Sequence, residues 1–176
     1  MGCAGIGKKG FTMVEILVVI AIISVMSAIA IPSLVSAVYH IRLTRATRDV
    51  AVGLQAARMK AISRNVAFQV KFTQGTLSSY ILQRWNATMG AWVNDASEYG
   101  GGKTIEAGVK ITSPGGNFSA VFFPAGTVQG NNGTLLTGGT TADQKICLTN
   151  ERSSTADQLN VSISAASGKV EVNNGC

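Results

Sequence analysis

Side chains able to do chemistry are scarce in this 176-residue chain, which has one histidine, three cysteines and nine acidic residues. With His40 as the lone histidine, no His/Cys cluster has enough ligands for a zinc site. No Ser-His-Asp set stands out either. Gly102-Lys103-Thr104 imitates the end of a phosphate-binding loop, but Ser97 stands where that loop requires its first glycine. The chain shows no internal repeat, which sets aside solenoid and propeller architectures. These absences argue against an enzyme and imply no cofactor and no metal. Charge is missing in a patterned way. Between Lys9 and Arg42 nothing basic occurs, and Glu15 is the one charge from Phe11 to Ile31. The net charge of +6 is too modest to choose between anionic lipid, nucleic acid and no partner at all.

What is present is divided along the chain. Phe11–Ile31 is a near-continuous apolar run, whereas the region after Asn65 is rich in Gly, Thr, Ser and Asn. The run exceeds the 7–15 residues of a secretory signal core, although Ala28-Ile29-Ala30 resembles a cleavage site. It matches the ~20 apolar residues that span a bilayer. Lys8 and Lys9 before it, with no basic residue behind it until Arg42, place the C-terminal part away from the cytoplasm. Neither a plain signal nor a plain anchor accounts for Glu15. A carboxylate at the bilayer centre costs about 2.5–3.5 kcal/mol, so an intramembrane acid points to function. Lying four residues past Phe11, about 6 Å along a helix, Glu15 is able to reach the interface while the chain rests in a membrane.

Lys8-Lys9-Gly10-Phe11-Thr12-Met13-Val14-Glu15, followed by Ile16–Ile23, resembles the class III signal of type IV pilins and pseudopilins. The resemblance implies that a prepilin peptidase cuts between Gly10 and Phe11 on the cytoplasmic side and N-methylates Phe11, leaving the helix attached. Glu15 then corresponds to the family's acid, and Pro32 to the proline that bends or loosens the anchor helix. In a fibre, Glu15 of one subunit would neutralise the new amine of Phe11 in a neighbour, and an unpaired charge in that apolar core would be strongly unfavourable.

Beyond Pro32, Leu43, Ala46, Val50, Leu54, Ala57 and Ala61 fall on a helical stripe about 80° wide. Arg42, Arg45, Arg48, Lys60 and Arg64 lie mostly opposite it, a face suited to solvent or lipid headgroups, with a nucleic-acid face as the alternative. A helix from residue 11 to about 64 would be about 80 Å long, suited to a fibre spine. After Asn65 the period changes to two. Val66–Phe72, Ser79–Trp85, Lys110–Thr112, Ala120–Phe123, Lys145–Thr149, Leu159–Ala165 and Lys169–Val172 read as strands, with turns at Gln74-Gly75 and Ser167-Gly168. Asn94–Lys103 and Gly126–Thr141 read as loops. Short Asn-x-Ser/Thr sequons occur at Asn86, Asn117, Asn132 and Asn160.

Once the leader carrying Cys3 is removed, Cys147 and Cys176 remain. In an exported domain such a pair reads as a disulfide worth roughly 3–4 kcal/mol, two reduced thiols being the alternative.

Leu54–Asn65 followed by a strand, with Phe123-Pro124-Ala125-Gly126 and the closing strands around Gly168, is similar to the GspH/FimT group of minor pilins and minor pseudopilins. The fold implied is α+β and pilin-like, a long N-terminal transmembrane helix packed on a C-terminal antiparallel β-sheet domain. The divisions expected are a cleaved leader at 1–10, a transmembrane and fibre-core helix at 11–31, its amphipathic continuation at 32–65 and a β-rich domain at 66–176. The implied role is a structural minor pilin that primes or caps a type IV pilus; alternatives are a minor pseudopilin of type II secretion and a DNA-binding minor pilin. Implied partners are other pilins or pseudopilins, the prepilin peptidase and the bacterial inner membrane, with the C-terminal domain in the periplasm and later in the fibre. DNA is a weaker implication. Competence-linked relatives carry Gly-Arg-x-Arg where this chain has Gly168-Lys169-Val170-Glu171, so one cation remains and an acid replaces the other.

Overall fold

In a computed structural model, residues 10–95, 102–130, 144–151 and 157–176 are described. The chain divides into two compact units, Met1–Val38 and Tyr39–Cys176. Helix α1 (Met13–Arg64) contributes to both and continues through Pro32. The proline ring has no N–H for the Ala28 carbonyl, one turn earlier, so that bond of the ladder is absent. Asn65, at φ 52°, ends the helix in the left-handed conformation that Asn tolerates better than most residues.

Among its described residues the first unit is helical from Met13 onward, with residues 10–12 leading into the helix. Its 18-residue apolar window has a mean hydropathy of 2.8, and none of that window is buried within the chain. By length and composition it is long and apolar enough to cross a membrane.

The second unit contains the C-terminal half of α1 and ten strands among the described residues. The strands are β1 (Phe68–Thr73), β2 (Ser79–Asn86), β3 (Ala91–Asn94), β4 (Lys103–Thr104), β5 (Val109–Ser113), β6 (Phe118–Phe122), β7 (Val128–Gly130), β8 (Gln144–Asn150), β9 (Gln158–Ile163) and β10 (Val170–Asn174). One antiparallel sheet runs β3-β2-β1-β6-β7, with β4 also paired to β2; the other runs β10-β9-β8-β5. Period-two alternation sends Phe68, Val70 and Phe72 of β1 inward with Tyr80, Leu82, Ala120 and Phe122. The second sheet adds Ile146, Leu148, Val161 and Ile163 to the same core. The helix closes it with Leu43, Ala46, Val50, Leu54, Ala57 and Ala61, the six residues of the expected stripe, all buried. Fully burying a Leu, Val or Phe side chain contributes roughly 1.5–3 kcal/mol, which makes this three-layer core the main source of cohesion.

Two close approaches lock the helix to the sheets. A Cβ at Gly53 would lie 2.9 Å from the Tyr80 ring, whose hydroxyl donates to the Asp49 carbonyl at 3.1 Å. At Gly168, φ is +62°, and a Cβ there would lie 2.5 Å from the Gly126 carbonyl oxygen and 3.2 Å from Arg58. Only glycine fits that hairpin turn.

The structure departs from the sequence expectations in four places. Val128–Gly130, expected within a loop, is strand β7 and pairs with β6, because backbone hydrogen bonding to an existing strand outweighs its weak local propensity. Ala91–Asn94 and Lys103–Thr104 also form strands, pairing with opposite ends of the β2 edge away from β1, while most of the loop expected between them lies outside the described residues. Asn173 and Asn174, beyond the strand expected at Lys169–Val172, extend β10 by pairing with Asn160 and Leu159. Finally, Lys60 departs from the expected solvated basic face, whereas Arg64 stays half exposed while reaching the same carboxylate. Lys60 Nζ lies 2.7 Å from Oδ2 of Asp95, which is only 5% exposed, and Arg64 Nη1 lies 3.6 Å from its Oδ1.

Candidate functional site: the helix start and the C-terminal tie

Gly10 and Phe11 precede α1 and are exposed; a Cβ on Gly10 would meet nothing within 4 Å. The peptide between these two residues is therefore uncrowded. Thr12 caps the helix: its hydroxyl accepts the Glu15 N–H at 3.2 Å, and its carbonyl accepts the Ile16 N–H at 3.3 Å. Thr12-Met13-Val14-Glu15 thus has the spacing of a capping box, a signal present in the sequence beside the acid itself. Glu15 sits in the first turn, where a negative charge is favoured by the helix dipole. That placement is a local reason for an acid at this position, independent of any neighbour. Around it the apolar residues face outward: Phe11 is 78% exposed and Leu17 61%. Lys8 and Lys9 lie outside the described residues.

Cys147 on β8 and Cys176 at the C-terminus are disulfide-bonded, with Cα atoms 6.0 Å apart. That separation falls in the usual range of about 4.4–6.8 Å. Because β9 stands between β10 and β8, the tail must cross β9 to reach its partner. It does so through hydrogen bonds: the Gly175 N–H donates to the Gln158 carbonyl at 2.7 Å, and the Asn160 side-chain amide donates to the Gly175 carbonyl. Asn173 donates to the Ser162 hydroxyl at 3.0 Å. Asn160 and Ser162 are thereby buried, at 4% and 7% exposure, on the side of β9 away from the apolar core. The sequon at Asn160 is consequently closed to modification in the folded chain, and the one at Asn132 lies outside the described residues.

The remaining polar residues singled out from sequence have ordinary partners. His40 Nδ1 lies 3.2 Å from Asp157 Oδ1 at the surface. Gly102-Lys103-Thr104 leads into a strand rather than a helix, and Lys103 Nζ pairs with Asp49 at 3.0 Å, so no anion cradle forms there. Lys169 pairs with Glu171 at 2.5 Å, and that hydrogen bond and charge raise the lysine pKa above its ordinary 10.5. The cation of Gly168-Lys169-Val170-Glu171 is engaged by the acid two residues away. Among the described residues no cluster of three His, Cys, Asp or Glu side chains is placed to hold a metal.

Residues 7–31 match the prokaryotic N-terminal methylation motif. Among solved structures, the chain is similar to the type IV minor pilin FimU of Pseudomonas aeruginosa. The TM-score is 0.53 and the identity 14%, over 74% of this chain and 87% of that one. A search of curated protein sequences found no match.

Proposed function

We propose that the chain is a type IV pilin-like subunit, a structural minor pilin of the GspH/FimT kind that primes or caps a type IV pilus; the methylation-motif match at residues 7–31 and the likeness of its fold to that of a minor pilin support the reading. The observation that carries the reading is the first unit. A methylation-type start at Gly10-Phe11 opens a helix whose apolar surface finds no cover within its own chain. Each exposed Leu, Ile, Val or Phe gains roughly 1.5–3 kcal/mol on leaving water, so this segment requires either lipid or other subunits around it. The inner membrane covers it first, with the second unit in the periplasm, and the helices of neighbouring pilins cover it in the fibre.

Cleavage after Gly10 by the prepilin peptidase creates an amine at Phe11. Glu15 of an adjacent subunit neutralises that amine in the apolar fibre core. A buried charge left alone there is costly, so the pair selects one axial offset between helices. Pro32 loosens the helix immediately after the apolar run and lets the anchor bend as it moves from bilayer to fibre. The role is architectural, with no catalytic step. Likeness to a protein described as a minor pilin supports the low-copy role over that of the main fibre subunit.

Intact-mass measurement on membrane-extracted protein tests the processing step, and N-methylated Phe11 is the expected start. Quantitative proteomics on sheared surface fibres tests the role, with this subunit expected at a small fraction of the main pilin. Its absence from surface pili but presence in a type II secretion pseudopilus would move the assignment to a minor pseudopilin. Salt-dependent binding of duplex DNA by the mature chain would move it to a DNA receptor; the Lys169–Glu171 pairing argues against that outcome.

A further inference from the structure

We propose that the outer face of the six-stranded sheet carries a binding groove for an acidic pyranose unit of a polysaccharide. The inference concerns a second activity of the globular unit and stands apart from fibre assembly.

Strand alternation puts Gln69 and Lys71 of β1 on the face opposite the core residues Phe68, Val70 and Phe72. Ser119 of β6 is opposite Lys71 in the β1–β6 register and shares that outer face. Together with Asn117, Phe118 and the Trp92 indole from β3, these residues line an open groove of about 200 Å³. Trp92 is braced by a cross-strand edge-to-face contact with Trp85, ring centroids 5.3 Å apart at 67°. A braced aromatic wall of this kind offers an apolar surface with little conformational entropy to lose.

The polar groups of the groove are oriented but not fully used. Gln69 Nε2 donates to Gln83 Oε1 at 2.6 Å, and Gln83 Nε2 donates to Asn94 Oδ1 at 2.9 Å. This ladder fixes the Gln69 amide and leaves its Oε1 as an acceptor. Among the described residues, neither that oxygen, the Ser119 hydroxyl nor the Lys71 ammonium has a side-chain or backbone partner. Gln69 and Ser119 are nonetheless only 6% and 5% exposed, and the groove they line is where that exposure lies. Because these residues line the groove, a ligand there can replace water as the hydrogen-bond partner of their polar atoms.

The chemistry of the wall selects the ligand. Amide and hydroxyl groups match the mixed donors and acceptors of sugar hydroxyls, and an indole suits the apolar C–H face of a pyranose. One cation, Lys71, suits one carboxylate substituent. A nucleic acid strand would demand clustered positive charge, which these residues do not provide. The groove is smaller than the roughly 300–1,000 Å³ of sites that enclose a drug-sized molecule. It therefore fits one ring of a longer chain lying across the sheet.

The test is calorimetric titration of the mature full-length protein in detergent micelles with tetragalacturonate, with cellotetraose and a single-stranded oligonucleotide as comparisons. Tetragalacturonate is expected to bind more tightly than cellotetraose. Trp92→Ala should weaken it by about tenfold, Ser119→Val should weaken it several-fold, and Lys71→Gln should abolish the preference for the acidic sugar. Circular dichroism checks that each variant is folded; should Trp92→Ala fail to fold, the Ser119 and Lys71 variants decide. Failure of tetragalacturonate to bind at millimolar concentration overturns the proposal. So do unchanged affinity in the folded variants and preferential binding of the oligonucleotide, while equal affinity for the two sugars overturns the acidic assignment.

Discussion

The two units of this chain solve the hydrophobic problem in opposite ways. Tyr39–Cys176 buries its own apolar side chains: Leu43, Leu54, Phe68, Phe72, Phe122, Ile146 and Val161 are at 0% exposure. The described part of Met1–Val38 leaves residues of the same types outside, with Ile22 at 54% and Ile29 at 74%. Composition therefore does not distinguish a core from an interface; the availability of a second layer does. A single helix has no layer to pack against within its own unit, so its stability in water depends on what covers it. The globular unit owes its cohesion to residues far apart in sequence, whereas the exposed apolar surface of the N-terminal helix comes from residues that neighbour one another.

Substitutions in one unit should accordingly leave the other's property intact. The largest effect is expected from Glu15→Ala. Recovery in sheared fibres should fall by at least about tenfold, given the several kcal/mol cost of an unpaired buried charge. Cleavage at Gly10-Phe11 and the thermal unfolding of the globular unit should remain unchanged. A drop in unfolding temperature would break the comparison.

Next is Asp95→Ala, which leaves Lys60 and Arg64 without a carboxylate they now share. Loss of one member of a buried pair costs about 3 kcal/mol or more. Denaturant unfolding should show that loss, while membrane extraction and N-terminal processing stay at wild-type levels. Cys176→Ser should cost roughly 2–4 kcal/mol in the same assay. It should also speed amide exchange in Val170–Asn174, the edge strand that the tail secures.

The smallest effect belongs to Lys169→Ala. The folded pKa of Lys169 is raised above 10.5 by Glu171, so the pair's contribution is fully present below that value and is lost as pH rises through the higher folded pKa. The pair is open to solvent and screened, so unfolding temperatures of the variant and the wild type should coincide at pH 7. A measurable gap at pH 7 that persists above pH ~12 would show that Lys169 acts through packing rather than charge.

Much of the globular unit could be read in advance. The helical stripe from Leu43 to Ala61 is buried residue for residue, and the Gln74-Gly75 and Ser167-Gly168 turns fall between the strands they were expected to join. Those features are local: a period of 3.6, a period of two and a glycine in the left-handed region each involve a few consecutive residues. Strand β7 was illegible because Val128-Gln129-Gly130 has no alternation of its own and exists through its register with Ala120–Phe122. The role of Asp95 was illegible for a related reason. Nothing in Val93-Asn94-Asp95 signals that Lys60, 35 residues earlier, will lie against it.

At the candidate site the division is similar. Gly10, Phe11, Glu15 and the apolar run lie within one contiguous stretch, and the Thr12 cap is readable there as Thr-x-x-Glu. The sequence by itself determined the exposed apolar helix, since apolar length and one embedded charge act on a helix without reference to distant residues. Tertiary structure alone decided that Asn160 and Ser162 are sealed by the last residues of the chain and that Lys60 serves the interior. It alone also decided that Trp92, Gln69, Lys71 and Ser119 meet across three strands. Alternation tells each strand which face a side chain takes, but which strands become neighbours, and in what register, depends on the packing of the entire sheet.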